Sequence, residues 1–195
     1  MARMEIAKPE IPATGDYRTQ GKVRNADGRL APGVQDRYDG ARRVVRENRA
    51  NNYGQPERSM QLSELVNDGY MEKEDLNCAE TMLYGADKVY DLGLDREALK
   101  LAAGFGGGMG IEATCGALTG AVMVLGRIFA RDKGHDTPRL KELCAEFLEE
   151  YRSQMGSIDC KPLKDRYRSE DLKCLRVVLK SAEILEQLIE RESAG

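Results

Sequence analysis

Apolar residues recur at helical spacing through the last two-thirds of the chain and are sparse before it. Leu62, Leu65 and Val66 predict a short helix from Gln61 to Asn67, with Gly69 as its stop. Asn77-Cys78-Ala79-Glu80 has the form of a capping box, an N-cap asparagine with an acid three residues on. Ala79, Met82, Leu83, Ala86, Val89 and Tyr90 follow on one face, and Gly93 is expected to close that helix. Asp95 is expected to cap a further helix reaching about Ala103, ahead of a glycine-rich loop over 104–110. Thr114 then reads as a cap with Cys115 as the first helical residue.

The helix from Cys115 to about Ala130 is apolar nearly all round, which predicts a central, buried position. Gly116 and Gly120, four apart on one face, predict close approach of a second helix, from this subunit or another. Asp136-Thr137-Pro138 starts the next helix, with proline at its first position. Its stripe is Leu140, Leu143, Cys144, Phe147, Leu148, Tyr151 and Met155, and Gly156 ends it. Ser157 to Pro162 reads as loop. Ser169 is expected to cap a final helix whose buried side is Leu172, Leu175, Val178, Leu179, Ala182, Leu185 and Ile189. No strand pattern and no internal repeat is visible. The predicted fold is all-α, a helical bundle of about five to six helices over residues 61–195, with an N-terminal arm over 1–60.

The arm differs in character. Residues 1–34 carry Pro9, Pro12 and Pro32 with few large apolar groups, so they read either as a disordered tail or as an extended arm laid over a partner subunit. Residues 36–51 read as a basic helix with Arg37, Arg42, Arg43, Arg46 and Arg49. Residues 1–60 hold 12 Lys and Arg against 8 Asp and Glu, whereas the whole chain has a formal net charge of −3. Aromatic interleaving is missing from the arginine segment and the protein is acidic, so nucleic acid is not expected as a partner. No run approaches the ~18 apolar residues of a membrane span. No apolar segment follows Met1, so a cytoplasmic protein is expected.

Five cysteines in 195 residues, without a secretory leader, point away from a disulfide framework and towards metal, redox chemistry or simple burial. The lone His135 leaves little for histidine-based catalysis. Cys78 and Cys115 are expected in first helical turns, where unpaired N–H groups and the helix dipole favour a thiolate. Cys174 lies near a helix start and Cys160 in the loop beside Pro162. Cys144 falls on an apolar stripe and reads as a buried hydrophobe. Four thiolates so placed could hold an anionic 2Fe–2S cluster, with backbone from Gly106, Gly107 and Gly108 approaching the sulfurs. The spacing, without a CxxC, disfavours structural zinc. Gly108 to Ala113 formally matches G-x-G-x-x-A but follows a helix rather than a strand, so it does not predict a dinucleotide site.

Asn77-Cys78-Ala79, the glycines 106–110, Thr114-Cys115-Gly116-Ala117-Leu118-Thr119-Gly120, Cys160 and Cys174 together resemble the redox-active family named for its C-GCAxxG-C-C pattern. The resemblance covers about residues 75–190. It implies that Cys78, Cys115, Cys160 and Cys174 are the characteristic four and that Cys144 is extra. The family domain is similar to the iron–sulfur portion of split-Soret-type cytochromes, which implies a 2Fe–2S cluster in a helical dimer, without the haem. The first expectation is therefore an electron-transfer protein, or a subunit of a larger oxidoreductase, serving a redox partner protein. The alternatives are a cluster-free thiol–disulfide oxidoreductase working through Cys78 and Cys115, and a helical interaction module with a structural metal.

Overall fold

The computed structural model describes residues 60–194; the expected N-terminal arm and the basic segment 36–51 lie outside them. Among the described residues there are eight α-helices and no strand. They are α1 (Leu62–Asn67), α2 (Tyr70–Lys73), α3 (Cys78–Tyr90), α4 (Arg96–Lys100), α5 (Gly116–Phe129), α6 (Pro138–Met155), α7 (Cys160–Tyr167) and α8 (Leu175–Ala194). The all-α expectation holds.

Three starts form for the reasons the sequence offers. Asn77 accepts from the N–H groups of Ala79 (2.9 Å) and Glu80 (3.1 Å), and Glu80 accepts from the Asn77 N–H (2.9 Å). Asp95 accepts from Ala98 N–H (2.8 Å) and caps α4. Pro138 opens α6 and Gly156, at φ +81°, closes it. Three expectations fail. Asp91, not Gly93, takes the left-handed position at the end of α3. The stretch expected as loop from Ser157 to Pro162 runs into α7, which begins at Cys160; Pro162 is its third residue, where the missing N–H has no intrahelical partner to lose. Ser169 caps a single turn, accepting from Leu172 N–H (3.1 Å), and Lys173 at φ +45° breaks the chain before α8 begins. Leu172 is accordingly exposed rather than on the buried stripe.

Helix α5 is central, packing on α3, α6 and α8. Leu118, Leu125 and Ile128 of α5 are buried with Met82, Phe147, Tyr151, Leu185 and Ile189. The buried Ser181 hydroxyl donates to the Ala117 carbonyl (3.0 Å), tying α8 to α5. The α3–α5 contact is the most extensive in the fold. A methyl group on Gly120 would stand 2.6 Å from the Ala79 carbonyl oxygen and 2.8 Å from Met82 Cβ. The small-residue face therefore receives a helix of this same chain, and no second subunit is needed to explain it.

Gly120→Ala is expected to lower stability by about 2–3 kcal/mol through this overpacking. Gly126, on the same helix, has open space where a Cβ would go. Gly126→Ala is expected to raise stability by about 0.5–1 kcal/mol. Urea unfolding of both variants checks the contrast; equal effects would disprove the close α3–α5 approach.

Candidate functional site: a thiol cluster at four helix starts

All four family-pattern cysteines stand where helices begin. Cys78 is the first residue of α3 and Cys160 the first residue of α7. Cys115 is the N-cap of α5, one position earlier in the helix frame than expected from a Thr114 cap. The Cys174 carbonyl accepts the first bonds of α8, from Val177 and Val178 N–H (3.0 Å each), so Cys174 is that helix's N-cap. Cys160 was expected in a loop, and the finding of α7 places it in a helical first turn instead.

Backbone pairing draws these starts together. Thr114 and Asp159 form an isolated antiparallel bridge. Cys115 N–H donates to the Ile158 carbonyl (2.9 Å), and Cys160 N–H donates to the Ala113 carbonyl (2.6 Å). The two cysteines are thus fixed on neighbouring strands of chain. Gly116 brings α3 into the group, since a Cβ there would lie 3.3 Å from Cys78 Cβ and 2.8 Å from the Phe105 carbonyl oxygen.

The glycine-rich loop divides by role. Gly108, at φ +61°, leaves space that a Cβ would take 2.8 Å from Cys160 Cβ. Gly106 lies against the Asn77 side chain, 2.8 Å from its Cγ to an added Cβ, and Asn77 Nδ2 donates to the Ala103 carbonyl (3.1 Å). Gly107 faces open space and is required only by its φ of +60°. Gly106 and Gly108 are therefore explained by close packing onto the cap of α3 and onto Cys160.

The thiols interact. Coupling between the Cys78 and Cys174 thiols is the largest influence on both. It lowers Cys174 to about 6 and raises Cys78, which burial and the other thiols push in the same direction. Arg168 and Lys164 add to the lowering at Cys174. Cys115 and Cys160 act electrostatically on Cys78, so all four thiols share one neighbourhood. Burial raises Cys115 to about 11 against the opposing pull of the Ala117 and Leu118 N–H groups, neither of which closes a cap hydrogen bond. Burial also raises Cys160. The expectation of lowered values at Cys78 and Cys115 is thus overturned: burial and thiol–thiol repulsion outweigh the helix ends, and Cys174 holds the charge. Cys144 is raised by burial alone and has no thiol among its influences. Among the described residues no group of three or more His, Cys, Asp or Glu is arranged to hold a metal ion.

Other groups surround the cluster that the sequence did not single out. Tyr151 is fully buried, donates from its hydroxyl to the Val177 carbonyl (3.2 Å), and feels Cys115, Cys78 and Cys174. Its place on an apolar stripe concealed that neighbourhood. Lys164 pairs with Glu112 (2.5 Å), joining α7 to the end of the glycine-rich loop. Lys164 and Arg168 follow Cys160 at spacings of four and eight, a helical signal hidden while Ser157 to Pro162 was read as loop.

Fold and site together define a helical thiol protein. The family model described as Putative redox-active protein (C_GCAxxG_C_C) matches residues 76–188, and the chain belongs to that family. Comparison with curated proteins and with solved structures gave no match.

Cys174 is expected to be the first thiol alkylated at neutral pH, with a midpoint near 6 and a rate falling about tenfold per unit below it. Because coupling to Cys78 lowers Cys174, Cys78→Ala is expected to move that midpoint upward. Iodoacetamide labelling against pH, read by peptide mass, measures both. An unchanged midpoint would show that the pair does not share its proton.

Proposed function

We propose that this redox-active family member is a thiol–disulfide oxidoreductase whose working pair is Cys78 and Cys174. The observation that carries this reading is the convergence of the Cys78 and Cys174 helix starts, where each thiol is the largest influence on the acidity of the other. It replaces the pairing of Cys78 with Cys115 expected from their shared cap positions. Cys174 supplies the attacking thiolate, being the less buried of the pair and the one beside Arg168 and Lys164. Cys78 holds the proton and resolves the mixed disulfide. A partner protein with a dithiol would return the pair to its reduced form.

A second reading is supported by a separate observation, the convergence of four thiols on four helix starts. Cys78, Cys115, Cys160 and Cys174 have the donor chemistry of a 2Fe–2S site, and such a cluster would supply one-electron transfer. The donor set fits in kind. No three of these groups are placed to hold one metal ion among the described residues, but a 2Fe–2S cluster asks for only two thiolates on each iron. The cluster reading stands second to the dithiol.

No helix among the described residues is long and apolar enough to cross a membrane. Assembly into a homodimer or a larger oxidoreductase remains part of the proposal.

Protein purified without oxygen is expected to be colourless and to yield a Cys78–Cys174 disulfide on mild oxidation. Cys174→Ser is expected to abolish that product, whereas Cys115→Ser and Cys144→Ser retain it. Peptide mapping with iron, sulfide and zinc assays decides. A brown protein that loses iron in Cys115→Ser but keeps it in Cys144→Ser would replace the dithiol reading with the cluster.

A further inference from the structure

A cleft of about 610 Å³ lies beside the thiol cluster, lined by Glu112, Lys164, Asp165, Arg168, Ser169 and Glu170. It is made from the same pieces of chain that place the cysteines. Glu112 ends the glycine-rich loop. Lys164 lies one turn along α7 from Cys160, and Arg168 is the cap at the end of that helix. Ser169 pairs with Lys173, the residue before Cys174. Lys164 and Arg168 act on both Cys160 and Cys174, so the cleft's cations lie within electrostatic reach of the thiols.

The charges in the cleft are mixed. Lys164 is held by Glu112, and Asp165 by Lys161 (3.0 Å). Arg168 and Glu170 are exposed and form no ion pair among the described residues. One guanidinium and one carboxylate without an ion pair among the described residues thus share a cleft that also contains a paired Lys–Glu. A purely anionic ligand would meet Glu112, Asp165 and Glu170; a purely cationic one would meet Lys164 and Arg168. A group carrying both an ammonium and a carboxylate satisfies both sets.

We propose that this cleft binds the amino-acid end of a small zwitterionic disulfide, its carboxylate on Arg168 and its ammonium on Glu170, with the disulfide presented to Cys174. This rests on the dithiol reading. The Cys174 thiolate bonds to one substrate sulfur as the substrate S–S bond breaks, and the first thiolate leaves and takes up a proton. Cys78 then loses its proton and bonds to the Cys174 sulfur, releasing the second thiolate. The protein's two thiols become one disulfide, the substrate disulfide becomes two thiols, and the substrate itself is the oxidant.

The test uses reduced full-length protein mixed anaerobically with four probes: cystine, the dication cystamine, the dianion dithiodiglycolate and the neutral 2-hydroxyethyl disulfide. Each rate is divided by the rate of iodoacetamide alkylation of Cys174, which removes any change in thiolate content. Cystine is expected to exceed each other probe by about tenfold, the scale of one charge-assisted contact. Arg168→Gln is expected to remove most of the advantage of cystine and not to lower the normalised cystamine rate. Normalised rates within about twofold for all four probes, or an Arg168→Gln variant with full preference for cystine, would overturn the zwitterion subsite while leaving the dithiol standing. Failure of every probe, the neutral one included, to form a Cys78–Cys174 disulfide would overturn both.

Discussion

The close approach of α3 and α5 is the constraint on which the site depends. Gly120 admits the Ala79 backbone, and one turn earlier Gly116 admits the first turn of α3 with Cys78. The glycines therefore do more than fill the core tightly. They align the beginnings of two helices, so two sets of unpaired N–H groups and two positive dipole ends lie together. The bridge between Thr114 and Asp159 brings in a third beginning, that of α7, and the turn broken at Lys173 brings in a fourth. Positive ends gathered in this way repel one another unless negative charge lies among them. Cysteine at each start offers that charge without the bulk of a carboxylate.

The charge the cluster accepts is nevertheless limited. Four buried or half-buried thiols cannot all ionise, because each thiolate raises the cost of the next and burial raises the cost of every one. The coupled pair resolves the conflict by sharing a proton, as two acids in contact do. The anion belongs on Cys174 for reasons visible around it: Arg168 and Lys164 lie on its side, and Cys78 is coupled to it. Cys78 lies deeper, where Cys115 and Cys160 act against its ionisation. A position at a helix start is therefore only one contribution to a thiol's acidity. At Cys115, where burial opposes it, it loses.

This explains which parts of the protein could be read from the chain alone. The capping box at Asn77, the apolar circumference of α5 and the Gly116–Gly120 spacing are local patterns, and each produced the expected element. The grouping of four cysteines was suggested by motif resemblance, but their partners in space were not. Cys78 and Cys174 are 96 positions apart, and nothing periodic links them. Helix α7 was hidden because Pro162 in its third position looks like a breaker, although a first-turn proline gives up no intrahelical bond. With α7 unseen, Lys164 and Arg168 had no face to share with Cys160. Tyr151 was read correctly as buried, but its hydroxyl partner on α8 is a tertiary fact.

The raised acidity of Cys174 also bears on the direction in which the proposed pair would work. A group that is stable as a thiolate is a good leaving group, so a disulfide made with it is readily opened by an incoming thiol. The interactions that hold the charge are the coupling to Cys78 and the two nearby cations, and both favour the reduced state. Oxidation removes the anion and strands the gathered helix starts without it. In the proposed couple, these interactions would stabilise the dithiol relative to the disulfide and by linkage make the disulfide the more oxidising form. The proposed zwitterion subsite would lie near that anion, in a cleft that mixes cations and carboxylates. The same helix ends that specify the architecture thus bias the chemistry of the sulfurs they carry.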